Sequence, residues 1–360
     1  MPCFESRDIS VLVDMAGCPN RCRHCWLGYP PNKSLSEKIF RWVVQQFREW
    51  ARPGEYEPFA SPLTALTWYR EPDFAPNYRE LYDLEKEING GTTPRFELLS
   101  IWRLARDESY VTWAYDIGTR ICQISFFGME KTTDYFYRRK GAFRDCITAT
   151  QRLLSAGIAP RWQLFLTEPI LPELGDLIRL VESMNLEEHV SRIGGEFCIF
   201  IHTPGPDGEA WNIEHLRPSV NIISQIPDYL VEKTKRHFGI TTIEEAIGYA
   251  ENDLLPEILC DPKPYSYMPD RLAFMVNSDL DVYSNIAEPM PWWRLGNLGI
   301  DGISAIMRRF ENDELPGMQA NFHIPVSELA KMYGEKGSRK IYKPGDLKSR
   351  LIRQWSQRKV

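Results

Sequence analysis

The first two hundred residues alternate between short apolar runs and longer stretches with helical spacing. The apolar runs, at 9–13, 63–68, 96–102, 121–127, 161–167 and 196–201, are rich in β-branched and aromatic residues and predict strands. Ser34-Leu35-Ser36-Glu37 has the form of a capping box and predicts a helix from there to about Trp50. Further helices are predicted over 106–118, over 142–156 with Gly157 as the stop, and over 174–184. Strands that alternate with helices imply a parallel sheet with right-handed crossovers. The pattern leaves open whether that sheet closes.

Side chains alternate along a strand. Glu196, Cys198, Phe200 and His202 therefore share one face, opposite Phe197, Ile199 and Ile201. Arg161, Gln163 and Thr167 likewise oppose Trp162, Leu164 and Leu166, and Gln123 sides with Ser125. The apolar set fits a face covered by helices. The polar set fits a solvated lumen lined by Gln123, Ser125, Gln163, Cys198 and His202.

After about Pro204 the texture changes. His202-Thr-Pro-Gly-Pro-Asp-Gly is loop-like, helical spacing returns over 220–238 and 242–249, and 272–276 and 282–284 flank the turn residues of a hairpin. The chain thus divides into a core over 1–205, an extension over 206–330 and a basic tail over 331–360. The tail holds ten Lys or Arg against two Asp or Glu, a net charge of +8 that leaves −14 on residues 1–330. It reads as a solvated helix or as a dock for an acidic partner or anionic substrate.

Composition narrows the class. Hydrophobic residues make up 43% and charged residues 26% of the 360, which suits a globular chain with a sizeable core. The net charge of −6 argues against general nucleic-acid binding. No apolar run approaches the ~18 residues of a membrane span, and the start lacks a signal-peptide pattern. A cytoplasmic protein is expected, in which disulfides are rare.

Three of the eight cysteines fall within Gly17-Cys18-Pro19-Asn20-Arg21-Cys22-Arg23-His24-Cys25, directly after the first predicted strand. Ligand loops of α/β proteins lie at that end of a strand. Spacings of four and three let one loop present three thiolates, the ligands of an iron–sulfur cluster, and Arg21 and Arg23 favour the thiolate form. Structural zinc normally takes four protein ligands. A zinc site using His24 and unliganded cysteines are the alternatives.

The CxxxCxxC segment resembles the radical S-adenosylmethionine superfamily. The resemblance spans roughly residues 8–205 and implies a partial (β/α)6 barrel of the TIM type, an α/β fold with parallel strands, extended here by a smaller α+β region. It implies one [4Fe-4S] cluster on Cys18, Cys22 and Cys25, with S-adenosylmethionine on the fourth iron, and His24 in the family's aromatic position. Tyr69-Arg70-Glu71-Pro72 stands where relatives carry Gly-Gly-Glu-Pro, so Glu71 is expected to receive the methionyl amino group. Ser125 is expected at the ribose and Arg139 at the methionyl carboxylate, with Gln163 also on the cofactor.

Residues 274–298, ending in Leu295-Gly296-Asn297, resemble the SPASM or twitch extension of that superfamily. Ser284 stands where a cluster cysteine would be, and Cys260 is the only cysteine after residue 198. An extension without auxiliary iron is expected, and with it a redox-neutral outcome such as epimerisation, rearrangement, elimination or fragmentation. Cys198 is the expected hydrogen-atom donor, and His202, on the same strand face, is the second expected catalytic residue. The resemblance implies an electron donor such as flavodoxin or ferredoxin, and a substrate that is a peptide residue or a small polar metabolite. With so little chain before Ile9, a peptide would need a carrier protein or the C-terminal region for its recognition. The alternatives are a radical methyl or alkyl transferase and a non-catalytic metal-binding scaffold.

Overall fold

The computed structural model describes residues 8–93, 95 and 97–360. Its strands are β1 (Ile9–Val13), β2 (Leu63–Leu66), β3 (Ile121–Phe126), β4 (Ala159–Phe165), β5 (Cys198–His202), β6 (Tyr249–Ala250), β7 (Leu272–Val276), β8 (Asp281–Ser284), β9 (Gly296–Asn297) and β10 (Ile341–Tyr342). Five of the six apolar runs read from the first two hundred residues become β1 to β5. β1 and β2 are parallel, and so are β3, β4 and β5. The register sets Gln123 beside Arg161 and Cys198, and Ser125 beside Gln163 and Phe200. Gln123, Ser125, Gln163 and Cys198 therefore lie on one face of the β3–β5 sheet, as alternation implies.

The run at 96–102 is not a strand, and Phe96 itself lies outside the described residues. Glu97 has φ 62, and the Ser100 hydroxyl caps the short helix Ile101–Leu104 by accepting from Arg103 N at 3.2 Å. A side-chain cap thus overrides an apolar run of strand composition. No strand bridges β2 and β3 among the described residues, and the barrel is open there.

Other predictions shift. The helix expected from Ser34 is Glu37–Glu49, with Ser36 as its cap. Phe40, Val43, Val44 and Phe47 recur on its buried face. Helix Tyr78–Asn89, absent from the sequence reading, follows β2. The stretch 220–238 divides into a 3-10 turn, Val220–Gln225, and helix Asp228–Phe238, because Pro227 between them lacks an N–H.

The hairpin of β7 and β8 forms as predicted, and β7 also lies parallel to β1 with Leu272 opposite Ile9. The sheet order is β2-β1-β7-β8-β9. One core accordingly joins Val11, Phe47, Phe274, Phe310 and Leu351. A second surrounds β3 to β5, with Phe126, Trp162, Leu164 and Ile199 fully buried. The basic C-terminal helix, Pro344–Ser356, is packed rather than solvated. Leu347 and Leu351 are buried, Arg350 pairs with Glu251, and Arg353 pairs with Glu288. Among the described residues no helix is long and apolar enough to cross a membrane.

Candidate active site at the cysteine loop

The cysteine loop is fastened before it begins. Asp14, the first residue after β1, accepts from Gly17 N at 2.9 Å and pairs with the buried Arg70 guanidinium. Arg70 also donates to the carbonyls of Pro30 at 2.9 Å and Pro31 at 3.3 Å, which draws both ends of the loop together. Gly17 has φ 93, and a Cβ there would lie 2.1 Å from Asn32 Oδ1. Only glycine meets both demands. The freed space lets Asn32 clasp Cys18, accepting from its N–H at 3.2 Å and donating to its carbonyl at 2.8 Å. Further along, Tyr29 Oη donates to the Cys22 carbonyl at 2.7 Å, and Arg23 N to the Phe136 carbonyl at 2.8 Å.

All three thiols are free. Burial pushes Cys18 and Cys22 well above the ordinary thiol range and Cys25 up to about 11. Negative charge on Cys18 and Cys25 further raises Cys22, so three thiolates here need a cationic body to hold them. Asn20 N donates to Cys18 Sγ at 3.4 Å, a backbone contact of the kind that supports cluster sulfurs. Among the described residues no group of three or more His, Cys, Asp or Glu is gathered to hold one metal ion. A donor set of three thiols spread along a loop suits a multi-iron cluster better than a single zinc.

Glu71 reaches this loop from the segment that follows β2. Its carboxylate lies 3.9 Å from Cys18 Sγ and accepts from Ser100 Oγ at 2.7 Å. Burial raises it to about 7, against the pull of Ser100 and Arg139. Arg139 reaches the loop from the turn between helices Glu130–Tyr137 and Ala142–Ser155, donating from Nε to Asn20 Oδ1 at 2.6 Å and pairing with Asp145 at 2.5 Å. Arg138 turns away, over the ring of Tyr29.

His24 is wedged between Phe127 and Phe165, with ring centroids 4.5 and 4.6 Å away. His202, at the end of β5, meets Phe165 edge-on at 5.7 Å. Burial lowers His24 to about 3 and His202 to about 4, so both rings are neutral. The Nδ1 atoms of both are buried without a hydrogen-bond partner. Two orphaned ring nitrogens at one rim fit a site made for a polar ligand.

Ser125 and Gln163 lie one rung down the lumen, where Gln163 Oε1 accepts from Gln123 Nε2 at 2.7 Å and from Ser125 Oγ at 3.4 Å. Cys198 opens β5, so it stands about 13 Å along the strand from His202. It is not gathered with the cysteine loop. Its sulfur lies 3.3 Å from His237 Nδ1, and the His237 ring stacks on Phe200. Of the other cysteines, Cys122 and Cys146 are buried, Cys260 is exposed, and Cys3 lies outside the described residues.

Sequence reasoning missed Asp14, Asn20, Asn32, Arg70, Ser100 and His237. Asp14 and Arg70 carried a signal, being charged residues at the ends of otherwise apolar strands. The rest act through contacts that only the fold creates.

No family model matches the chain, and no curated protein matches it. Solved structures do. Native anSMEcpe with bound AdoMet is similar at 14% identity and a TM-score of 0.53, over 98% of this chain and 98% of that one. The same protein with bound AdoMet and Kp18Cys peptide is similar at 13% identity and a TM-score of 0.52, again over 98% of each chain. Its complex with AdoMet and Cp18Cys peptide gives 13% identity and 0.52, over 98% of this chain and 97% of that one. The chain therefore shares its mixed α/β fold, with its parallel strand pairs, with AdoMet-bound anSMEcpe over nearly its whole length.

Proposed function

We propose that the chain is a radical S-adenosylmethionine enzyme that acts on a residue of a peptide with a redox-neutral outcome. One observation carries this reading. Three thiols on the loop after β1 meet Glu71 from the segment that follows β2, 3.9 Å from Cys18, and Arg139 from a turn between two helices, bonded to Asn20 within the loop.

When bound, a [4Fe-4S] cluster on Cys18, Cys22 and Cys25 with S-adenosylmethionine supplies one-electron cleavage of the sulfonium and a 5′-deoxyadenosyl radical that takes a substrate hydrogen. The chain's own residues position and exclude. Glu71, held by Ser100, offers a carboxylate to the methionyl ammonium. Arg139, held by Asn20 and Asp145, offers its guanidinium to the methionyl carboxylate. His24, Phe127, Phe165 and His202 form an apolar-walled seat with two free nitrogens, which suits a base and keeps water out. Ser125 and Gln163 present hydroxyl and amide groups to the ribose or substrate.

The peptide reading rests on the polar lumen and on the peptide-bound anSMEcpe structures that share the fold. A flavodoxin or ferredoxin is the electron donor. The redox-neutral outcome rests on where the remaining cysteines lie: Cys122 and Cys146 are in the core, and Cys260 is at a surface. Cys198, whose sulfur lies 3.3 Å from His237 Nδ1, opens β5 about 13 Å from His202, so a hydrogen-atom donor role for it requires a substrate that reaches down the β3–β5 face.

Anaerobic reconstitution tests the reading. The expected result is about four irons per chain and 5′-deoxyadenosine that forms only with dithionite. A colourless protein that takes up zinc instead would overturn it.

A further inference from the structure

We propose that a cavity beside the cysteine loop seats a basic side chain, lysine or arginine, of the peptide substrate. This rests on the peptide reading above. The cavity has a volume of about 340 Å³, and its walls include Trp26, Asp207, Tyr265, Tyr267, Trp293 and Asp346. Trp26 directly follows Cys25, and Glu209 N donates to the Cys25 carbonyl at 2.8 Å, so the wall bearing Asp207 is fastened to the cysteine loop.

The chemistry of the walls is that of a cation seat. Tyr265 and Tyr267 stack with centroids 5.8 Å apart, and two indoles add further ring surface. Aromatic faces attract ammonium and guanidinium groups and pack against their methylene stems. Neither carboxylate forms an ion pair among the described residues, although Arg217 acts on both from a distance, Arg353 on Asp207 and Lys343 on Asp346. Asp346 Oδ2 is buried with no hydrogen bond, and Asp207 makes no side-chain hydrogen bond or ion pair among the described residues. Burial, reinforced by Asp346 and opposed by Arg353 and Arg217, raises Asp207 to about 6.

The nearby cations have partners of their own, and one of them, Arg353, lines the cavity together with its partner Glu288. Arg353 pairs with Glu288 and donates to the carbonyls of Pro206 and Gly208. Arg217 donates to Glu214, Pro204 and Ile341, Lys343 lies over Phe238, and Lys348 over Tyr265. A carboxylate largely withdrawn from water and without an ion pair is costly, and a substrate cation relieves that cost. A divalent metal would want more oxygen ligands and fewer rings.

The test uses the full, reconstituted chain and two blocked pentapeptides, acetyl-Gly-Gly-Lys-Gly-Gly-amide and its norleucine analogue. Binding is read by calorimetry and by the fluorescence of Trp26 and Trp293. The lysine peptide should bind at least about tenfold more tightly. Asp207→Asn and Asp346→Asn should each erase most of that preference while leaving norleucine binding and the melting temperature close to wild type. Equal binding of the two peptides by the wild type, or an unchanged preference in both variants, overturns the proposal. Formation of 5′-deoxyadenosine without peptide is scored separately, so failure of the radical chemistry and failure of the cation seat are distinguishable.

Discussion

Replacing Arg353 by methionine should destabilise the chain, and by more at alkaline than at acid pH. Arg353 is buried and pairs with Glu288, which also accepts from Trp292 Nε1 at 3.0 Å and from Gly208 N. Burial raises Glu288 to about 7, against the pull of Arg353. Folded Glu288 therefore holds a proton that the unfolded chain releases near its ordinary 4.5. Wild-type stability accordingly falls as pH rises from about 4.5 through about 7. Without Arg353 the carboxyl rises further, and the falling window extends upward.

At pH ~5 Glu288 is protonated in both proteins. The variant then loses mainly the hydrogen bonds from Arg353 to Pro206 and Gly208, about 1–3 kcal/mol. At pH ~8.5 it also leaves a buried carboxylate without its cation, and the loss becomes about 3–5 kcal/mol. Urea unfolding at the two pH values measures both. Adding Glu288→Gln to the variant should recover most of the extra loss at the higher pH. Equal losses at the two pH values, or no recovery in the double variant, would refute the reasoning.

Other outcomes follow from the same structure. Trp162→Ala should cost about 3–5 kcal/mol by calorimetry, because the fully buried indole packs on Phe126 at 4.3 Å and donates to Thr150 Oγ1 at 3.1 Å. Arg139→Met should keep the full iron content and weaken S-adenosylmethionine binding about tenfold or more; unchanged affinity by equilibrium dialysis removes Arg139 from the site. Gly17→Ala should lower iron uptake, since its Cβ displaces Asn32 from Cys18; normal loading means the clasp is dispensable. Cys198→Ala should retain iron and 5′-deoxyadenosine formation but lose solvent deuterium from the product, as mass spectrometry would show. Deuterium retained at the wild-type level excludes Cys198 as the donor.

The strands and their faces were legible because alternation is local: Gln123, Ser125, Gln163 and His202 lie on one lumen face by period alone. The cysteine loop was legible because its three cysteines are nearly consecutive. Residues 96–102 misled because a strand-like apolar run contains Ser100, whose hydroxyl both caps a helix and holds Glu71. The partner of β1 was hidden for a different reason. β7 comes some 260 residues later, and no local pattern encodes a parallel pairing at that separation. Charge misled at the C-terminus, where the sequence counts Arg350 and Arg353 as solvated cations but the fold buries both against Glu251 and Glu288. His237 carried no signal at all, since it meets Cys198 only when helix Asp228–Phe238 packs on β5.

The most direct test is electron paramagnetic resonance of the anaerobically reconstituted, dithionite-reduced chain, recorded with and without S-adenosylmethionine. A [4Fe-4S] signal whose g-values shift on adding S-adenosylmethionine, and which is lost together in Cys18→Ala, Cys22→Ala and Cys25→Ala, is the predicted result. A signal indifferent to S-adenosylmethionine, or one that survives loss of any of the three thiols, would contradict it.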